Sequence, residues 1–295
     1  GGFLKFEFTI SNFGFGDHHG AAAVTVDLPG RETYEFSRKV GDWSYTKDRF
    51  SLSIARTTIE EDGEQAFRLR HRAKGMEVDV RFENTIPMWQ PGNGEIRSGG
   101  KYFTLHLVAP RADVTGTIAT GDQTIPVDAP QAGFGDHSAT QFAPYDLARR
   151  FSRFHHFNDD LFVAWREIAL TEARGDSSLT WIVVGYKDEI IFSDASAQIT
   201  FRDIVRDSET GYRVPRQIQI EGQSGLDSVR LVIEGKNLRR KSLLDEYGAL
   251  IRTLASAVTD PYQYAMDGEY KLQMTIQDAT ATVEGTVGFS MDYLN

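Results

Sequence analysis

Histidine is the residue type to follow in this sequence. Four of its seven histidines stand in two adjacent pairs, His18-His19 and His155-His156, and His137 directly follows Asp136. An imidazole serves as acid, base or metal ligand near neutral pH, so three chemistries are open. The metal reading is the weakest. Neighbours on a strand point to opposite faces, which keeps one His-His pair from giving both ligands to one ion, and the one-face spacings of metal motifs are absent. No metal and no cofactor are expected. In an acid–base reading, Asp136 orients or tunes His137, and a carboxyl held protonated donates to an alkene or carbonyl. Asp136 and His137 are then the catalytic candidates of a cyclase, hydratase or isomerase acting on a hydrophobic polyene, terpenoid or polyketide.

The third chemistry is binding. The run Arg149-Arg150-Phe151-Ser152-Arg153-Phe154-His155-His156-Phe157 alternates rings with polar donors, which suits a ligand with a polar head and an apolar body. Arg153, His155 and His156 are its candidate contacts, together with Asp17, His18 and Trp89, the last on the Pro-bounded stretch Pro87–Pro91. Plainer readings stand beside these. A tight turn capped by Asp would use the same Gly-Phe-Gly-Asp-His residues, a strand rim would carry the same arginines, and a lone Trp is commonly a core anchor. No phosphate-cradling Gly-rich loop, Gly-x-Ser-x-Gly elbow or His-Glu-x-x-His helix occurs.

The elements that must position these residues are strands. Alternation places Phe6, Phe8 and Ile10 on one face, then Val78, Val80 and Phe82, and again Phe103, Leu105 and Leu107. It returns at Ile218 and Ile220, at Val229, Leu231 and Ile233, and at Leu272, Met274 and Ile276. Hairpin turns are expected at Glu61-Asp62-Gly63, Thr120-Gly121-Asp122 and Tyr186-Lys187-Asp188. One helical stripe, Leu243, Leu244, Tyr247, Ile251, Leu254 and Val258, predicts an amphipathic helix at about 238–259, stopped by Pro261. Gly14-Phe15-Gly16-Asp17-His18 reappears as Gly133-Phe134-Gly135-Asp136-His137, 119 residues on, a distance suited to a duplicated small barrel. The turn-rich stretch 121–130 is the expected connector, giving domains at 1–125 and 126–295.

Composition bounds the rest. The 295 residues exceed one usual domain, and 40% hydrophobic with 25% charged residues is ordinary for a soluble globular chain. A net charge of −10 disfavours nucleic acid, whose binding depends on Lys and Arg displacing counterions. The absence of cysteine removes disulfides and thiolate chemistry. No run of about 18 apolar residues is present to cross a bilayer. Transient membrane contact stays open, as does the oligomeric state. A start at Gly1-Gly2 without Met suggests a processed or trimmed form and slightly favours export or the periplasm.

Two stretches carry a resemblance. Ser98-Gly99-Gly100-Lys101 through Pro110-Arg111-Ala112-Asp113-Val114-Thr115-Gly116-Thr117-Ile118 is similar to the end of the first domain of the fungal oxidative-stress survival factor family, and Gly133 to Phe157 is similar to that family's Gly-x-Gly, His and Arg-x-x-Phe segment. More distantly, the Gly-Phe-Gly-Asp-His copies resemble a segment of the carotenoid hydratases and of Diels-Alderase-like proteins. Ser138 stands where the hydratase pattern has Asn, and its following Trp is missing, which weighs against hydratase activity. The resemblance implies an all-β chain of two lipocalin-like antiparallel barrels in tandem that bind or act on long apolar molecules. The leading expectation is binding or carrying a long-chain or ceramide-like lipid, with the cyclase, hydratase or isomerase as the alternative.

Overall fold

A computed structural model describes residues 2–11, 18–121, 123–158, 160–244 and 259–294. Alternation becomes antiparallel strands throughout. β1 (Phe3–Ser11), β2 (His19–Asp27) and β3 (Tyr34–Val40) form a three-stranded sheet. The second sheet contains β4 (Trp43–Thr46), β5 (Ser51–Ile54), β6 (Thr57–Glu61), β7 (Ala66–Ala73) and β8 (Met76–Asn84), with β9 (Glu95–Ser98), β10 (Lys101–Thr120) and β11 (Gln123–Thr140). The third has nine strands: β12 (Ala148–Phe157), β13 (Leu161–Leu170), β14 (Ser178–Tyr186), β15 (Glu189–Asp194), β16 (Gln198–Arg206), β17 (Arg213–Ser224), β18 (Asp227–Ser242), β19 (Tyr262–Ile276) and β20 (Ala279–Tyr293). The three expected hairpin turns all fall between consecutive strands.

Two compact units result, Gly1–Met88 with Ala109–Gly135, and Trp89–Val108 with Asp136–Asn295. The division is therefore not one cut of the chain. The stretch expected as a connector is mostly strand, because Gln123–Thr140 continues as β11 and Pro126 and Pro130 sit within it. A proline is tolerated at a position whose N–H the ladder does not need.

The N-terminal unit buries Val24, Val26, Phe36, Leu69, Val78, Val80 and Val114 in one cluster. His71 is sealed there at 1% exposure. Its Nε2 lies 2.8 Å from the Tyr34 hydroxyl, which donates to the Ala73 carbonyl at 3.0 Å, and its Nδ1 lies 2.9 Å from Thr57 Oγ1. With the tyrosine proton committed to Ala73, the ring donates from Nε2 and accepts at Nδ1. Burial pushes the His71 pKa down and keeps it neutral.

Two glycines in this unit are dictated by close approach. Gly133, in the second copy of the repeated motif, lies in β11 rather than a bend, and a Cβ there would stand 2.5 Å from Val114 Cγ2 and 2.6 Å from the Phe82 ring. Gly116 has φ +142, and a Cβ there would collide with the Asp79 carbonyl oxygen across the β8–β10 ladder. Gly116→Ala should lower stability by about 1–3 kcal/mol for the strained backbone, and further for the clash. Exposed Gly41→Ala, which meets nothing within 4 Å, should stay within about 0.5 kcal/mol. Equal melting temperatures for the two variants would refute this.

In the C-terminal unit the nine-stranded sheet curls until β15 reaches β17, where Gln223 N donates to Asp194 Oδ2 at 2.9 Å. No ladder joins β15 to β16 among the described residues, so the sheet's ends are not paired as in a closed barrel. The helix expected at about 238–259 is corrected at its start. Residues 238–242 lie in β18, where Arg239, Arg240, Lys241 and Ser242 pair with Ala265, Tyr264, Gln263 and Tyr262. A ladder to β19, with Arg239 forked onto Asp267, satisfies backbone and charge together and makes these five residues strand. Residues 245–258 lie outside the described residues. Helix elsewhere is confined to the single turn Pro144–Leu147 and the 3-10 turn Glu172–Arg174 among the described residues.

Candidate functional site

Register sorts the side chains of β12, β13 and β14 onto two faces. Phe154 faces Trp165, which faces Ile182, and all three are in the core cluster of the nine-stranded sheet. Directly paired residues share a face. The inner face therefore carries four rows across the strands: Arg150, Ala169 and Ser178; then Ser152, Glu167 and Thr180; then Phe154, Trp165 and Ile182; then His156, Val163 and Val184. The first two rows are polar apart from Ala169. The last two are apolar apart from His156.

The polar rows are built around Glu167, whose side chain is wholly buried. Arg150 donates to it twice, Nε to Oε2 at 3.0 Å and Nη2 to Oε1 at 2.6 Å. Ser152 Oγ donates to Oε2 at 2.7 Å and Ser178 Oγ to Oε1 at 2.9 Å, so four donors fill both oxygens. The Arg150 guanidinium also stacks 4.3 Å from the Phe201 ring centre. Burial works against its charge, but the bonds and charge of Glu167 outweigh that and raise its pKa. His156, on the same face, lies 4.8 Å from the Tyr270 ring, and burial pushes its pKa down.

On the outer face, Arg166 is buried between β12 and β13 and donates to the carbonyls of Phe154 and Trp165 and, at 2.8 Å, to Asp136 Oδ2. Burial lowers its pKa against the pull of Asp136. His155 belongs to the same group. Its pKa is pushed down to about 4, first by burial and then by the charge of Arg166, with Asp136 opposing. By area the residue is still exposed, so protein crowds the ring without sealing it from water. His137, also open by area, has its pKa lowered by burial and by His106, whose ring centre is 6.4 Å away.

The structure thus brings Asp136 and His155 together around Arg166, joined by Arg153, which bonds Ser290 Oγ at 3.0 Å and pairs with Asp292 at 3.3 Å, while His137, the next residue along β11, lies against His106 instead. It sets His156 on the opposite face of the sheet, so His155 and His156 cannot meet the same point of one ligand. Trp89 bridges Leu107 and packs with Phe103, Phe142, Leu147 and Trp181, in a satellite core. His18 sits at a turn of the N-terminal unit with φ +55, its carbonyl accepting from Trp43 Nε1, and Asp17 lies outside the described residues. Arg150, Arg166, Glu167 and Thr180 were not among the sequence candidates. The signal for two of them was present: Arg166-Glu167 interrupts an apolar run from Leu161 to Leu170, and charges inside a buried strand require partners.

The sequence pattern of the Svf1 family matches residues 27–290. The ceramide-binding protein SVF1 of Yarrowia lipolytica is 22% identical over 255 residues, covering 78% of this chain and 64% of that protein. The ceramide-binding protein svf1 of Emericella nidulans is 25% identical over 267 residues, covering 83% and 67%. The chain thus spans about two thirds of the length of these curated relatives. Among solved structures, kievitone hydratase of Nectria haematococca superposes with a TM-score of 0.54 at 12% identity, covering 100% of this chain and 88% of that one. At that identity the likeness shows the fold alone, which is the all-β lipocalin-like type the sequence implies.

Proposed function

The chain belongs to the Svf1 family, and from that premise we propose that it binds and carries a long-chain lipid with an uncharged, ceramide-like head, without transforming it. The two relatives bear the name ceramide-binding protein, which supports the ligand class. The observation that carries the reading is the division of one inner face into polar rows at one end and apolar rows at the other. A closed antiparallel sheet of about eight strands has an interior wide enough for one small apolar ligand, and this sheet curls toward that arrangement. On these strands the inner-face charges, Arg150 and Glu167, already neutralise each other, and His156 is held neutral by burial. Such a face offers hydrogen bonds but no uncompensated charge, so it favours a hydroxyl and amide head over a phosphate.

Native mass spectrometry of the chain mixed with C16 ceramide or with phosphatidic acid tests this. The expected result is a one-to-one ceramide complex and a much weaker phosphatidic acid complex. No ceramide complex, or a preference for the anionic lipid, would remove the proposal.

A second reading rests on the outer face, where the His155 ring, kept neutral by burial, feels the charge of Asp136, with His137 next along β11. Acid–base catalysis on a polyene would make Asp136→Asn abolish turnover with ligand affinity intact. The Arg166 guanidinium already occupies Asp136 Oδ2, which suits an acceptor and opposes a role as proton donor.

A further inference from the structure

Two polar atoms on the inner face have no hydrogen-bond partner among the described residues: the indole Nε1 of Trp165 and the hydroxyl Oγ1 of Thr180. Trp165 is 0% exposed and Thr180 2%. Leaving such a group unpaired in the interior costs about 1–3 kcal/mol, so native structures satisfy nearly all of them. Neighbouring side chains explain the lack. Thr180 stands opposite Glu167, the nearest acceptor in register, whose two oxygens already take four donors. Trp165 is flanked by Phe154 and Ile182, which accept nothing. Trp181 Nε1 also lacks a partner but points to the outer face, into the satellite core. On the inner face Trp165 and Thr180 fall in adjoining rows of neighbouring strands, at the boundary between the polar and apolar ends.

We propose that Trp165 and Thr180 are the specificity-determining donors of the lipid site, holding the carbonyl or hydroxyl oxygen of a long-chain amide and selecting it over bare hydrocarbon. This rests on the lipid-binding reading above and locates it. Diagonal neighbours on adjacent strands lie about 7–8 Å apart along the backbone, near enough for their side chains to converge on the oxygens of one ceramide head. The hydrocarbon then continues along the apolar rows past Ile182 and Val184.

The test uses Thr180→Val, which keeps the shape and removes the hydroxyl, and Trp165→Phe, which removes the N–H. Equilibrium binding of C16 ceramide and of n-octadecane, both delivered from the same detergent, is measured on each variant and on the unaltered chain. Each variant should lose about tenfold in ceramide affinity, one good hydrogen bond, while octadecane affinity holds. Thr180→Val should melt no lower than the unaltered chain without ligand, since no protein bond is lost. The indole N–H resonance of Trp165, assigned by its disappearance in Trp165→Phe, should move on adding ceramide to the unaltered chain. Ceramide affinity unchanged in Thr180→Val, or an indole resonance that stays still, would overturn the inference and leave water as the partner of both atoms. An equal loss for both probes would overturn it too, marking a packing effect. Failure of the unaltered chain to bind ceramide would instead sink the lipid-binding reading itself.

Discussion

Replacing Glu167 by Leu should cost about 3–5 kcal/mol, the largest loss expected from a single substitution in the C-terminal unit. The substitution leaves the Arg150 guanidinium, whose side chain is 13% exposed, with its charge uncompensated and the Ser152 and Ser178 hydroxyls without their acceptor. Stacking on Phe201 does not replace a carboxylate. For a domain of this size the loss corresponds to a fall in melting temperature of roughly 6–20 °C. The double substitution Arg150→Met with Glu167→Leu should recover most of it, because replacing both partners of a buried pair by apolar side chains is far less costly than stranding one. Thermal unfolding of the two single variants and the double variant checks this. A loss under about 1 kcal/mol for Glu167→Leu would mean that Arg150 finds another partner or reaches water.

Acidification should destabilise the chain before its carboxylates titrate. His71, His137, His155 and His156 all have folded pKa values below the ordinary histidine value, with burial the first cause in each. Below about pH 6.5 the unfolded chain takes up protons that the folded chain refuses, so stability is full above that pH and falls as pH drops toward 4, where His155 titrates. The ceiling of such linkage is about 1.4 kcal/mol per pH unit for each histidine. His71, sealed between Tyr34 and Thr57, should come nearest to it. His137 and His155, open to water by area, contribute less because solvent screens them. The expected record is a flat melting temperature above pH 7 and a fall of several degrees between pH 6.5 and 5. Below that, Asp79, Asp207 and Asp267, whose pKa values are lowered in the fold, extend the loss. A melting temperature constant from pH 7 to 5 would show that these rings protonate in place.

Local pattern alone determined the strands of this protein. Alternation of Val78, Val80 and Phe82, or of Val229, Leu231 and Ile233, is a property of two-residue periodicity, and turn residues such as Glu61-Asp62-Gly63 mark where strands reverse. The same periodicity separated His155 from His156 and so dismissed a shared ion. It also left Arg166-Glu167 visible inside an apolar strand, a demand for partners with no means of naming them. Tertiary structure decided those partners, because pairing across a sheet joins residues far apart in sequence. Asp136 reaches Arg166 from thirty residues earlier, and Arg150, Ser152 and Ser178 converge on Glu167 from the strands on either side. Pairing with β19 turned residues 238–242 from the start of a helix into strand, and packing gave Trp89 to a satellite core. Which face is inner, and therefore which donors a ligand would meet, follows from the sheet's curl and its register, neither of which a single strand encodes.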